Sequence, residues 1–134
     1  MMRHILAALV VNEPGVLAHV AGMFAARGFN IDSLVVGRTD KPDVSRMTIV
    51  ANGDDQVVDQ IRKQLGKLVE VIKVVHYGES DHVERDLMLV RVTANGETRR
   101  DVIELAGLFR ARVVDVGHQE IMVEMSGPEA KIEA

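Results

Sequence analysis

The fold of this chain is decided by residues 5–17, which read ILAALVVNEPGVL. An apolar, strand-like run ends in a polar turn, and a helical pattern then begins with Gly15 in its first turn. The first backbone N–H groups of a helix have no partner within the helix and carry the positive end of its dipole, so they attract anions. A strand, turn and helix start of this kind can therefore bind a small carboxylate.

Three residues of the turn suit such a site. Gly15 has no Cβ, so a ligand can approach the backbone there. Pro14 fits the first turn of a helix, and Asn12 can either cap the helix or hydrogen-bond the ammonium group of a ligand. The same residue types are also common in ordinary turns between a strand and a helix. The motif alone therefore fits both a ligand site and a purely structural turn.

The composition excludes several classes of protein. A length of 134 residues fits one domain or two small ones, and 47% hydrophobic residues are enough for a buried core. No apolar run reaches the roughly 18 to 20 residues of a membrane span, and no signal-peptide pattern precedes the first strand, so we expect a soluble, cytoplasmic protein. The absence of cysteine removes disulfides, thiolate nucleophiles and Cys-type metal sites. A net charge of −4 with one Tyr, three Phe and no Trp argues against binding to nucleic acid.

The first part of the chain alternates between strand and helix periods. Apolar spacing predicts a helix over residues 15–27 and a second helix that Asp54 or Asp55 caps and Gly66 ends. Strands are predicted over residues 3–11, 31–36, 44–51 and 68–76. The order is βαββαβ, the ferredoxin-like pattern of the α+β class.

After a polar segment the pattern starts again. We predict a first domain at residues 1–77, a linker at 78–85 and a second domain at 86–134. In the second domain a helix is predicted over residues 97–110, with strands over 87–93, 113–116 and 121–125. Only the start of a further helix follows at residues 127–134, so the second unit is an incomplete ferredoxin-like domain. Either the chain is a shortened piece, or a swapped or partner chain supplies the missing elements.

A short echo suggests an internal duplication. AGMFAAR at residues 21–27 resembles AGLFRAR at residues 106–112, at an offset of 106 − 21 = 85. At this offset Gly15 corresponds to Arg100 and Asn12 to Glu97, so the second copy would carry long charged side chains where the first offers bare backbone. We therefore expect only the first copy to bind an anion.

Several motifs in order resemble the regulatory (small) subunit of acetolactate synthase, also called acetohydroxyacid synthase. They are the opening motif at Asn12, GFNIDSL at 28–34, SRMTIV at 45–50, QLGKLVEV at 64–71 and HVERDLMLV at 82–90. The resemblance implies an N-terminal ACT domain, which is an amino-acid-sensing ferredoxin-like module, followed by a second ACT-like domain.

The resemblance also implies a function in branched-chain amino acid biosynthesis, the route to valine and isoleucine. In this family the small subunit is not catalytic: it binds and activates the large catalytic subunit and confers feedback inhibition by valine. No cofactor or metal is expected in this chain, since thiamine diphosphate, magnesium and FAD belong to the catalytic partner. A homodimer through the ACT domains is expected, because unpaired sheet edges are a liability unless they are paired.

The family's effector site lies between two ACT domains, and its residues carry over by motif. Asn12, Gly15, Val16 and Leu17 would line the helix start, while Asn30 and Ile31 would approach from the neighbouring subunit. Asn30 also suits a plain turn, and Leu17 and Ile31 also suit ordinary core positions. Leucine or isoleucine sensing stays open, because one methylene in an apolar pocket discriminates by only about 1 to 3 kcal/mol.

Other classes of protein fit the sequence less well. The five histidines show no HExxH or comparable spacing, and no phosphate-binding glycine loop occurs, so we expect no catalytic residues. RNA-recognition domains share the βαββαβ order, but residues 47–50, MTIV, offer no stacking aromatics. An ACT domain that senses another amino acid and regulates a different biosynthetic enzyme remains the alternative.

Overall fold

The computed structural model describes residues 2–78 and 81–134, and the chain divides into two compact units, Met1–Asp81 and His82–Ala134. The division falls inside the segment 78–85 that was predicted as a linker. Residues 79 and 80 of that prediction lie outside the described residues. None of the helices in the described ranges is long and apolar enough to cross a membrane.

The first unit is a four-stranded antiparallel sheet with two helices, in the strand order β2-β3-β1-β4. This order and the βαββαβ succession confirm the predicted ferredoxin-like fold. The elements are β1 (Met2–Val11), α1 (Val16–Ala26), β2 (Ile31–Arg38), β3 (Val44–Gly53), α2 (Asp55–Gly66) and β4 (Val71–His76). The fourth strand begins three residues later than predicted, since Leu68 and Val71 still make turn-type hydrogen bonds to the carbonyls of Leu65 and Leu68.

Strand periodicity places the core of the first unit between the sheet and its helices. In β1 every second residue faces the helices, and in β3 the partners of these residues do the same. Helical spacing brings Val20 and Phe24 of α1, and Ile61 and Leu65 of α2, into the same core. The strand residues of this core are Leu6, Ala8, Val10, Met47, Ile49 and Ala51.

The second unit is a three-stranded antiparallel sheet in the order β5-β7-β6. Its elements are β5 (Asp86–Thr93), α3 (Arg99–Leu108), β6 (Arg112–Val116), β7 (Glu120–Gly127) and α4 (Glu129–Glu133). The β-α-β-β order predicted for this unit is thus confirmed, and among the described strands β5 pairs only with β7. Its helices cover the sheet in part and leave an apolar cavity of about 240 Å³, whose lining includes Met88, Val90, Leu105, Phe109, Met125 and Ile132.

The two units follow the same path from their first helix into their second strand. Gly28 after α1 (φ 71°) and Arg110 after α3 (φ 55°) both adopt the left-handed backbone conformation, at an offset of 110 − 28 = 82. The register shift of β2 follows Ile31 and that of β6 follows Val113, and 113 − 31 is again 82. The structural repeat is therefore real in this region.

The offset of 85 that the sequence echo predicted is wrong by three residues. At an offset of 82, Gly15 corresponds to Glu97 rather than to Arg100, which lies inside α3. Asn12 corresponds to Ala94, which is fully buried, rather than to Glu97. The residues that replace Gly15 and Asn12 in the second unit are therefore Glu97 and Ala94, and not the Arg100 and Glu97 that the sequence echo predicted.

Candidate functional site

The start of α1 has the open backbone that the sequence predicts. Gly15 is the residue that precedes the helix, with φ 85° and ψ −10°, and no side chain caps the helix at this end. The first regular helical hydrogen bond runs from the His19 N–H to the Gly15 carbonyl, at 3.0 Å. A Cβ on Gly15 would meet nothing within 4 Å, so glycine is favoured here by its left-handed φ and not by lack of space.

Asn12 holds the turn before the helix instead of capping it. Its backbone N–H donates to the Asp43 carbonyl at 2.8 Å, and its side-chain amide donates to the Pro42 carbonyl at 3.0 Å. The interpretation of Asn12 as the N-cap is therefore wrong, because Gly15 occupies that position. The bond to Pro42 uses the amide nitrogen, so the side-chain oxygen of Asn12 is the group suited to accept from an ammonium group.

The next two residues have opposite surroundings. The Val16 side chain is 5% exposed and belongs to the core, whereas Leu17 is 45% exposed. Only the backbone of Val16 is therefore available to a ligand at this surface. Leu17 is the apolar side chain that a ligand or a neighbouring subunit could contact.

Asn30 and Ile31 lie at the opposite end of the same sheet. Ile31 pairs with Ala51, which pairs with His4 near the start of β1, whereas Asn12 follows the end of β1. Residues 4 and 12 are eight positions apart, which corresponds to about 26 Å along an extended strand. One chain does not bring the two groups of predicted site residues together.

The surroundings of Asn30 and Ile31 differ as well. The Asn30 amide lies 3.4 Å from a carboxylate oxygen of Asp32, whose other oxygen accepts from Asn52. Ile31 is half-buried and packs against the core of its own unit. Asn30 is exposed and so is the more accessible of the two.

A pair that the sequence analysis missed lies beside the helix start. His19 of α1 and Glu70, just before β4, are joined by a hydrogen bond of 2.9 Å between Nδ1 and Oε1. The Glu70 carbonyl also accepts from the N–H of Val11, the last residue of β1, at 2.9 Å. The two residues are 51 positions apart in the chain, and no local spacing rule relates them.

The corresponding helix start in the second unit is closed by its own side chains. The Asn95 side-chain oxygen accepts from the N–H groups of Glu97 and Thr98 at 2.9 and 3.0 Å, and the Thr98 hydroxyl accepts from the Asn95 N–H at 3.0 Å. The Asn95 carbonyl takes the first helical bond from the Arg99 N–H, at 2.9 Å. This reciprocal exchange resembles a capping box and occupies N–H groups of the turn before α3. Thr98, the residue directly before α3, makes no side-chain cap to the helix itself.

The described ranges 2–78 and 81–134 contain no group of three or more His, Asp or Glu side chains arranged to hold a metal ion. Two histidines lie together in the first unit, with His4 Nδ1 at 3.3 Å from His76 Nε2. His4 is buried and its Nε2 donates to the Gly53 carbonyl at 3.1 Å. Both ring contacts join strands of one sheet.

Comparison with known proteins identifies the first unit as an ACT domain. Residues 6–73 match a family model described as the AHAS small subunit-like ACT domain, and residues 85–134 match a model described as the small subunit of acetolactate synthase. The two matches cover the two compact units in turn.

Relatives match almost the whole chain. It is 55% identical over 133 residues to a probable acetolactate synthase small subunit of Archaeoglobus fulgidus, covering 99% of this chain and 83% of that protein. It is 49% identical over 131 residues to the acetolactate synthase small subunit of Mycobacterium avium, covering 98% and 78%. The crystal structure of the small subunit from Thermotoga maritima matches with a TM-score of 0.92 and 38% identity, over 99% of this chain and 83% of that one. The chain belongs to the family of acetolactate synthase regulatory small subunits.

Proposed function

We propose that this chain is a valine sensor, which binds valine between the ACT domains of two copies and regulates the thiamine-diphosphate-dependent catalytic subunit of acetolactate synthase. The observation that carries the proposal is the uncapped start of α1 at Gly15. Free N–H groups at the positive end of a helix suit the carboxylate of an amino acid. The side-chain oxygen of Asn12 would accept from its ammonium group.

The placement of Asn30 and Ile31 supports a site shared by two copies. β2 is an edge strand, and Val35 and Val36 are 62% and 42% exposed on it. If two β2 strands pair antiparallel about a two-fold axis that passes between Leu34 and Val35, Ile31 of one copy lies opposite Arg38 of the other. Arg38 is at the end of the sheet where α1 begins, since it pairs with Ser45, the partner of Val10.

A two-fold arrangement of this kind gives two equivalent sites. In each, the helix start of one copy would bind the charged groups of valine, and Asn30 of the other copy would approach from its strand end. Leu17 and Ile31 would contact the isopropyl group, with Ile31 adjusting from its present place against the core. The backbone N–H of Val16, which lies 3.5 Å from the Glu13 carbonyl, would turn to join that of Gly15 at the carboxylate.

The site contains groups for binding and none that the proposal uses for catalysis. Thiamine diphosphate, magnesium and FAD are assigned to the catalytic subunit. Valine would change the geometry of the dimer, and the catalytic subunit would respond to that change. Reciprocity then requires binding of the catalytic subunit to alter the affinity for valine.

Isothermal titration of the chain with valine tests the sensing role, with leucine, isoleucine and serine as comparators. We expect saturable valine binding at about one site per chain or fewer, as a two-fold dimer provides. Absence of valine binding together with saturable binding of another amino acid would contradict the valine assignment and favour the alternative, an ACT sensor that regulates a different biosynthetic enzyme.

Substitution on the β2 edge tests the shared site. Val35→Lys should disrupt dimerisation and valine binding together, because a charge on an edge strand opposes strand pairing. Leu89→Lys in the second unit is the matched control, since Leu89 is 61% exposed and also lies on a strand. Sedimentation velocity reports the dimer. A Val35→Lys monomer that binds valine normally would refute the shared site.

A further inference from the structure

Glu70 connects two parts of the first unit that meet at the start of α1. Its backbone carbonyl accepts from the N–H of Val11, the last residue of β1, and its carboxylate oxygen Oε1 is bound by His19 Nδ1. His19 in turn donates its backbone N–H to the Gly15 carbonyl. A continuous set of contacts therefore runs from the end of β1 through Glu70 and His19 to Gly15.

The carboxylate of Glu70 is not placed to contact a ligand. Its second oxygen, Oε2, is buried and has no hydrogen-bond partner among the described residues. A dry, unpaired carboxylate oxygen is costly, so the arrangement needs the other contacts of the same residue to compensate. The hydrogen bond of its own backbone N–H, followed by that of His19, lowers the pKa of Glu70 from its ordinary value.

The start of α1 needs an anchor of this kind. Gly15 is the most flexible residue type, and no side chain caps the helix there, so the first turn would otherwise be free to fray. Fraying would scatter the directions of the N–H groups that bind the carboxylate. Holding those groups in the bound geometry before the ligand arrives increases affinity, because less ordering is required on binding.

We infer that the His19–Glu70 pair is a positioning element of the effector site, fixing the first turn of α1 so that its free N–H groups stay aligned for an amino-acid carboxylate. This inference rests on the proposed function. His19 and Glu70 act through the backbone of Gly15 and do not themselves touch the ligand.

The test is a double-mutant cycle in valine affinity, measured by isothermal titration on the full chain. Glu70→Ala and His19→Ala should each weaken valine binding by about fivefold, equivalent to roughly 1 kcal/mol. The double variant should be no weaker than either single variant, because both substitutions remove the same contact. Glu70→Gln keeps an oxygen that can accept from His19 and should retain affinity within about twofold of the original chain.

Asp59→Ala is the matched control, because it removes an exposed ion pair of the same unit, the 3.0 Å contact between Asp59 and Arg62 on α2. It should leave valine affinity unchanged. Hydrogen exchange gives a second readout that does not need the ligand: the His19 amide, which donates to the Gly15 carbonyl, should exchange faster in Glu70→Ala and at the original rate in Glu70→Gln.

The outcomes separate the two proposals. Unchanged valine affinity in both alanine variants, or additive losses in the double variant, would overturn the positioning role while leaving the valine site intact. If the original chain binds no valine, the proposed function fails, and faster or unchanged exchange of the His19 amide in Glu70→Ala still decides whether the pair holds the helix start. If the alanine variants do not fold, His19→Gln and Glu70→Gln supply the comparison, with retained affinity expected and a fivefold loss contradicting the inference.

Discussion

The starts of α1 and α3 occupy corresponding places in the two units and present opposite surfaces. In the first unit a left-handed Gly15 leaves the helix without a side-chain cap, and the nearby Asn12 side chain bonds to Pro42 instead. In the second unit Asn95 and Thr98 bond each other's backbone N–H groups and close the helix. Repeated architecture therefore does not imply an identical helix start, since side chains occupy backbone N–H groups of the turn before α3 and none does so at α1.

The largest expected effect is a difference in stability loss when a phenylalanine is removed from each of the two units. Phe24 is 1% exposed, whereas Phe109, its partner in the sequence echo, is 42% exposed, and the buried Ala106 occupies the structurally equivalent place. Phe24→Ala should lower the free energy of unfolding by about 3 to 5 kcal/mol and Phe109→Ala by about 1 kcal/mol. Urea unfolding measures both. Equal losses of unfolding free energy in the two variants would favour Phe109 as the equivalent of Phe24, at an offset of 85, and would contradict the offset of 82.

The next effect tests which helix start binds valine. Gly15→Asp should weaken valine binding by more than about tenfold, because a carboxylate would then stand where the ligand's carboxylate belongs. Gly96→Asp is the matched control at the other helix start, where an added Cβ likewise meets nothing within 4 Å. Titration with valine compares the two variants. Intact binding in Gly15→Asp would place the site elsewhere.

A smaller effect contrasts the two asparagines. Asn95→Ala should destabilise the chain by about 1 kcal/mol through loss of the cap, without changing valine affinity. Asn12→Ala should weaken valine binding and change stability less, because its one side-chain bond is exposed. Urea unfolding and valine titration on both variants provide the comparison. Weaker valine binding in Asn95→Ala, with a loss of stability alone in Asn12→Ala, would contradict the roles assigned to the two residues.

The smallest effect concerns pH. Burial, and then the charge of neighbouring His4, lowers the pKa of His76 below 6.5, so the folded first unit favours the neutral ring. The unfolded chain takes up a proton near pH 6.5, so the stabilisation is complete above that pH and decreases as the pH falls below it. Urea midpoints between pH 7.5 and 5 should show this loss, and His76→Gln should reduce it.

Much of the first unit could be predicted because local patterns determine it. A continuous apolar run predicted β1, and the prediction that Asp54 or Asp55 caps α2 is confirmed by the 2.9 Å bond from the Val57 N–H to Asp54. The register of the repeat could not be predicted, because Arg110 adopts the left-handed conformation that Gly28 adopts in the first unit. A sequence comparison has no glycine to align at that point.

The candidate site was predictable in part for a similar reason. The helix start is a local feature, so residues 12–17 could identify it. The His19–Glu70 pair depends on how α1 packs beside the turn before β4. Of the two roles open to Asn12, helix capping is wrong, because Gly15 occupies the cap position and the Asn12 amide bonds to Pro42. Contacts between distant segments carry no local spacing signal.

The most direct test of the central claim follows backbone amide resonances during titration with valine. Saturating valine should shift the N–H signals of Gly15, Val16 and Leu17, and should leave those of Glu97 and Thr98 in place. Shifts at the second helix start, or saturable binding with no change at residues 15–17, would contradict it.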